Sequence, residues 1–195
     1  MTQKLSKIAK AKQPKLINKE LAAEAREKLS PKQQEKLNNN LFAAAKSGDS
    51  ANIKRLLKAG ANINAKDSDG RTALMRTAYG GHVDACKLLI KNGADINAQD
   101  KDMWSAMTYA ASEGQTGACR LLAENGMDVN AQDIYTRTVL MAAAYNGHTE
   151  TCEFLLESGA NPKIMDCYGK TALTDAEMNH HDETAKLLKS FKGGP

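Results

Sequence analysis

Apolar and polar positions along the chain repeat with a period of 33 residues. Leucine keeps this step through five copies, at Leu56, Leu89, Leu122, Leu155 and Leu188. Two glycine columns and one aspartate column keep the same register, and they comprise Gly48, Gly81, Gly114 and Gly147, Gly60, Gly93, Gly126 and Gly159, and Asp67, Asp100, Asp133 and Asp166. Self-similarity at a fixed period of this size indicates a repeat architecture.

Each copy predicts a pair of short helices, as the second copy shows. Thr72 is placed to cap the first helix, and Leu74 and Ala78 share one face of it because they are four residues apart. Gly80-Gly81 ends that helix, and helical spacing of apolar residues predicts a second helix over about 83–91. A unit of this size cannot bury its apolar stripe alone, so the copies must stack.

The string DGRTALMRTAYGGHVDACKLLIKNGADINAQD resembles the ankyrin repeat. The resemblance covers roughly 39–191 and implies an all-α solenoid of stacked helix-turn-helix units joined by β-hairpin-like loops. The five repeats would span about 39–66, 67–99, 100–132, 133–165 and 166–191, between a basic extension over 1–38, partly helical or disordered, and a short tail over 192–195. Met103 and Thr136 stand where Gly70 and Gly169 fill the hairpin turn, which leaves the hairpin geometry of copies three and four open.

The basic character of the chain belongs to its first residues. Residues 1–19 carry six lysines and no acid, whereas the remainder is close to neutral. Such a segment is either an arm that attracts nucleic acid or an anionic membrane surface, or simply a solvated arm. No aromatic residue is interleaved for base stacking. After this segment, Ser30-Pro31-Lys32-Gln33 has the order of a capping box and predicts a helix start.

The remaining composition argues for an intracellular setting, most simply the cytoplasm. No apolar run reaches the ~18 residues of a membrane span. The N-terminal lysines are not followed by the apolar core of ~7–15 residues that a secretory signal needs. The four cysteines form no Cys-X-X-Cys pair and no Asn-X-Ser/Thr sequon occurs, which is typical of a reducing compartment.

Motifs that could carry chemistry have simpler structural interpretations. Gly169-Lys170-Thr171 resembles the end of a phosphate-binding loop, but Ile164 stands where that loop needs glycine, so a turn and a helix cap are expected. His180 and His181 are adjacent and point about 100° apart on a helix, which suits no shared metal ion. We expect capping or packing roles for the histidines that begin second helices, His82 and His148.

The cysteines offer no obvious redox chemistry. Cys86, Cys119 and Cys152 share one column beside the leucines, and stacked helices hold such positions too far apart for disulfides, so they are expected in the core. Cys167 falls in a hairpin and is expected to be an exposed thiol. No catalytic constellation stands out. We therefore expect no enzymatic activity, cofactor, metal or small-molecule substrate.

The aromatic residues suggest where a partner would bind. The resemblance implies that partners dock on the concave side, which hairpin tips and first helices build. All five tyrosines and the single tryptophan fall in columns of that side, as do three arginines: Tyr79, Trp104, Tyr109, Tyr135, Tyr145 and Tyr168, with Arg71, Arg76 and Arg137. Tyrosine, tryptophan and arginine dominate binding hot spots. The sequence therefore predicts a protein-binding module, with a polyanion-binding lysine arm as the alternative.

Overall fold

The computed structural model describes residues 29–191, which form ten helices. In chain order they are α1 (Pro31–Lys46), α2 (Ser50–Lys58), α3 (Ala73–Tyr79), α4 (Val83–Lys91), α5 (Ala106–Ser112), α6 (Thr116–Glu124), α7 (Val139–Tyr145), α8 (Thr149–Glu157), α9 (Ala172–Met178) and α10 (Asp182–Ser190). Between residues 29 and 191, the β structure is one isolated antiparallel bridge, from Gln132 to Thr138. The predicted stack of helix pairs is confirmed.

A hydroxyl group caps the first helix of each complete unit. Thr72 accepts a hydrogen bond from the backbone N–H of Met75 at 3.4 Å, as its position in the sequence predicts. The other caps follow the same 33-residue step, and they are Ser105, Thr138 and Thr171. First helices of seven residues are too short to be stable alone in water. Packing against neighbouring units must therefore supply most of their stability.

Histidines tie neighbouring units together at the start of the second helices. The Nε2–H of His148 donates to the backbone carbonyl of Ser112 in the preceding unit at 2.9 Å, and its ring fills the space above Gly114. His82 and His181 make the equivalent bonds to Lys46 and Tyr145. The expected packing role of His82 and His148 is confirmed. Over residues 29–191, no group of three His, Cys, Asp or Glu side chains could hold a metal ion.

The core runs through all the units as a continuous layer of small and aliphatic side chains. The leucine column that revealed the repeat lies inside it, at Leu56, Leu89, Leu122, Leu155 and Leu188. The cysteine column lies there too, and burial raises the pKa of Cys86 to about 11 and that of Cys119 and Cys152 to about 12. Cys167 is exposed. Both expectations for the cysteines are confirmed.

The two ends of the stack differ from the inner units. Ser30 and Gln33 form the predicted capping box, but the helix that begins there runs without a break to Lys46, across the expected boundary at residue 38. At the other end, Glu177 and Lys189 stand in columns where the preceding copy has the core residues Ala144 and Leu156, and they form an ion pair of 2.6 Å. These polar side chains lie at the end of the described stack, where polar residues favour solubility of a terminal repeat.

Some sequence predictions lie outside the described residues. They concern the lysine-rich arm over 1–19, the rest of the extension up to residue 28, and the tail over 192–195. Among the helices that the structure describes, none has the length and apolar character needed to cross a membrane.

Candidate partner-binding face

One aspartate closes each of the four hairpin loops. In the third copy, Asp100 Oδ1 accepts hydrogen bonds from the backbone N–H of Asp102 at 2.9 Å and of Trp104 at 2.8 Å. The same pair of bonds recurs at Asp67, Asp133 and Asp166. A carboxylate that accepts two backbone N–H groups fixes the loop between them. The hairpin tips are therefore held in one conformation.

Backbone hydrogen bonds join each hairpin to the next. Lys101 N–H donates to Asp69 O at 3.1 Å, Ile134 N–H to Asp102 O at 3.2 Å, and Cys167 N–H to Tyr135 O at 3.0 Å. The four tips therefore form one connected surface rather than four independent loops.

The hairpins of copies three and four keep the same turn without glycine. Met103 has φ 62° and Thr136 has φ 60°, close to the 85° of Gly70 and the 75° of Gly169. This left-handed conformation costs an ordinary L residue roughly 1–2 kcal/mol. The geometry that the sequence left open is thus regular, and the aspartate bonds in each hairpin help to hold it.

The second oxygen of the hairpin aspartates holds side chains of the face. Asp100 Oδ2 accepts from the phenol of Tyr109 at 2.5 Å, and Asp67 Oδ2 forms an ion pair with Arg76. Sequence reasoning missed these contacts. The signal was available, because both donors lie nine residues after their aspartate and so occupy one column.

Two aromatic groups lie side by side on this surface. In the first, the Tyr109 ring makes edge-to-face contacts with Tyr79 and Trp104, at centroid distances of 6.2 and 5.2 Å. In the second, Tyr135 and Tyr168 stack at 6.4 Å. The six predicted aromatic residues and three predicted arginines are hereafter the aromatic face.

Arg137 connects the two aromatic groups. Its guanidinium carbon lies 5.9 Å from the ring centroids of both Trp104 and Tyr135. Asp133 Oδ2 accepts from Arg137 Nε at 3.0 Å and from Trp104 Nε1 at 3.2 Å. The buried carboxylate therefore orients one cation and one indole of the aromatic face.

The structure separates the predicted residues into exposed and supporting ones. Tyr79 and Tyr145 are each 50% exposed, Tyr135 is 44% exposed and Tyr168 is 71% exposed. Trp104 is partly buried. Tyr109 is only 9% exposed, so it can offer a partner little surface, and its ring packs against Tyr79 and Trp104. Burial, followed by the bond to Asp100, raises the pKa of its phenol.

Two of the arginines are also partly committed. Arg71 lies 5.6 Å above the Tyr109 ring and 3.7 Å from the Asp69 carboxylate. Arg76 lies 5.5 Å from the Phe42 ring centroid in addition to its pairing with Asp67. These arginines therefore brace the first aromatic group as well as adding charge to it.

The motif that resembles a phosphate-binding loop has the expected structural role. Gly169 takes the left-handed turn conformation, and Thr171 accepts from the backbone N–H of Thr174 as the cap of α9.

Helix pairs stacked in register and joined by bonded hairpins define a helical repeat protein of the solenoid class. A family model described as ankyrin repeats (3 copies) matches residues 41–133 and 132–193, so the chain belongs to the ankyrin repeat family. No curated protein matches the chain. Ankyrin repeats are generally protein–protein interaction modules and are typically non-enzymatic.

Proposed function

We propose that the chain binds a protein partner on its aromatic face and catalyses no reaction itself. The observation that carries this proposal is the exposure of four tyrosines on one surface, at Tyr79, Tyr135, Tyr145 and Tyr168. Exposed large apolar residues that cluster on one face mark interaction sites. Tyrosine suits such sites because it combines a rigid apolar ring with a hydrogen-bonding tip.

Rigidity of the face favours binding. Asp133 orients Trp104 and Arg137, and the linked hairpins hold the backbone beneath them. Side chains that are already ordered lose little conformational entropy when a partner binds. The same contacts speak against catalysis by these groups, because Asp133 and Asp100 are engaged in holding the scaffold.

Tyr79→Ala is the cleanest test of the face. Half of Tyr79 is exposed, and no side-chain hydrogen bond of Tyr79 is seen among the described residues, so the substitution should leave the fold intact and cost mainly the ring contact with Tyr109. Trp104→Ala removes the centre of the face but also a bond to Asp133. We expect each variant to lose roughly 2 kcal/mol or more of binding energy, which is a Kd at least about 30-fold weaker.

The measurement has two stages. Proteins captured from native lysate by the full chain are compared with those captured by Tyr79→Ala, and the protein whose capture differs is purified for calorimetry. Lys87→Ala serves as the control, because Lys87 is exposed on α4, away from the face. Affinities of the Tyr79 and Trp104 variants equal to that of the Lys87 control would contradict the proposal.

The lysine arm gives the same experiment a second outcome. If the arm over 1–19 were the binding element, deletion of those residues and added salt would abolish binding while Tyr79→Ala would not. This result would favour the polyanion-binding alternative over the aromatic face.

A further inference from the structure

A pocket lies on the aromatic face between the fourth and fifth units. It encloses about 280 Å³, and its lining includes the tyrosines Tyr135, Tyr145 and Tyr168 and two carboxylates, Asp166 and Asp175. Sites for small-molecule ligands usually measure roughly 300–1,000 Å³. A pocket of this smaller size suits one long side chain of a protein partner.

The hairpin of the fifth unit lacks a donor that the other three possess. Asp67, Asp100 and Asp133 each receive a side-chain donor at Oδ2. Asp166 uses Oδ1 for its two backbone bonds, and Oδ2 receives no hydrogen bond or ion pair from residues 29–191. Two positions explain the difference: nine residues later the fifth copy has Asp175 where the second and third copies have donors, and four residues later Lys170 makes no bond to Asp166 like the one from Arg137 to Asp133.

Asp175 is a largely buried acidic residue that lines the pocket. It is 6% exposed, and within the described part of the chain its carboxylate makes no hydrogen bond or ion pair. Burial, and then repulsion from Asp166, raise its pKa by more than the charges of Lys170 and Arg137 lower it. A buried charge without a hydrogen-bonding partner is costly, so the site favours an incoming donor.

The cations that line the pocket do not supply this donor. Arg137 is bound to Asp133 at 3.0 Å. Lys170 occupies the corresponding position one unit later, yet its ammonium group forms no ion pair within 4.0 Å among residues 29–191. The lining itself has two carboxylates and two cations, but Arg137 is already paired with Asp133 just outside the lining. With Asp133 included, three carboxylates meet two cations, so the group has a formal net charge of −1.

We propose that this pocket receives the guanidinium group of an arginine side chain of the protein partner. The inference rests on the proposed function, since the pocket is part of the aromatic face. A guanidinium carries five N–H donors in a planar fork, so it serves both carboxylates at once. Its flat face stacks on aromatic rings, and the tyrosine walls provide these. An ammonium group has the charge but not the planar fork.

The test uses the full chain and small probes, so it does not require the partner. Binding of N-acetylarginine amide is measured by NMR chemical-shift titration, together with its citrulline and lysine counterparts. Citrulline has nearly the shape of arginine without its charge. We expect arginine to bind at least about tenfold more tightly than citrulline, equivalent to about 1.4 kcal/mol, and more tightly than lysine.

Asp175→Asn is the decisive variant, because it keeps the shape of the side chain and removes its charge. It should sharply reduce the preference for arginine over citrulline, because only the Asp166 carboxylate then remains. Glu153→Gln, at an exposed position on α8, is the control and should keep the preference. Tyr168→Ala removes a wall that is 71% exposed and should weaken arginine binding, so the inference stays testable if Asp175→Asn folds poorly.

Three results would overturn the inference: equal binding of citrulline and arginine, lysine binding at least as tight as arginine, or an arginine preference that Asp175→Asn leaves undiminished. Tyr79 and Trp104 do not line this pocket. The two proposals can therefore fail separately. If the arginine site is wrong, Tyr79→Ala should still weaken partner binding. If the aromatic face does not bind the partner, Tyr79→Ala should leave partner binding unchanged.

Discussion

Met103 and Thr136 offer a direct measure of the strain in the hairpin tips. Both take the left-handed backbone conformation that glycine supplies at the same position in the second and fifth copies. Met103 is 44% exposed and Thr136 is exposed as well, so replacing either side chain removes little buried surface. The effect of Met103→Gly or Thr136→Gly should therefore come mainly from the backbone.

The expected magnitude is a difference of two terms. Glycine relieves roughly 1–2 kcal/mol of left-handed strain. Against this, glycine makes the unfolded chain more flexible, which costs about 0.5–1 kcal/mol. Each substitution should therefore raise the free energy of unfolding by about 0–1.5 kcal/mol. Thr136→Gly should gain more, since a β-branched residue tolerates this conformation least.

The reverse substitutions complete the series. A Cβ atom at Gly169 meets nothing within 4 Å, so Gly169→Ala should lose stability through the backbone alone. A Cβ atom at Gly70 would lie 3.0 Å from the backbone nitrogen of Lys101, so Gly70→Ala should lose more. This ordering follows from the contacts each glycine makes.

Urea unfolding followed by circular dichroism measures the series, and thermal midpoints should move by about 2–4 °C per kcal/mol. Ser68→Gly is the control, because Ser68 is exposed in the hairpin of the second copy and does not have a positive φ. It should lose stability. If Met103→Gly and Thr136→Gly lose stability as Ser68→Gly does, the strain is not where the structure places it.

Three further outcomes follow from buried groups. A thiol reagent should label Cys167 rapidly in the native protein, but label Cys86, Cys119 and Cys152 only on unfolding, because burial covers these three and raises the pKa of their thiols. Tyr109→Phe should lower the free energy of unfolding by about 1–3 kcal/mol in urea titrations, since it removes a bond to a carboxylate. Burial raises the pKa of Asp67, but the hydrogen bonds from the Arg71 backbone N–H and the Arg76 side chain together lower it by more. Its pKa therefore lies below the usual 3.8. The stability that Asp67 provides is present above pH 3.8 and is lost as pH falls through its lowered pKa, so Asp67→Asn should be less stable than wild type near neutral pH, and the difference should shrink as pH falls below 3.8.

The sequence was sufficient for the helices because local signals agree with the stack. Thr72 caps its helix as predicted, and α4 spans the predicted residues. Spacing of leucine placed the core correctly, since identical columns of a repeat meet identical neighbours. The continuous helix α1 was not predicted, because the repeat pattern begins within it and says nothing of the residues before.

The repeat columns alone could not predict which residues of the aromatic face are exposed. Tyr79 and Tyr109 both fall in first-helix columns of the predicted binding side, yet one is half exposed and the other is buried. The difference depends on Asp100, which lies nine residues before Tyr109 and accepts its phenol hydrogen. Such a contact links a hairpin to a helix, so helical spacing does not reveal it.

Departures from the repeat carry the information that distinguishes this surface. A column with the same residue in each copy is used for stacking or for closing a turn, as the leucine and aspartate columns are. At the ninth position after the aspartate, by contrast, the copies have Arg76, Tyr109, Ala142 and Asp175. Two of these satisfy their own hairpin, alanine is too short to reach one, and Asp175 adds a second acid. Among the four hairpin aspartates of the described residues, only Asp166 faces a second acid at this position, and a partner with a complementary cation can be selected there.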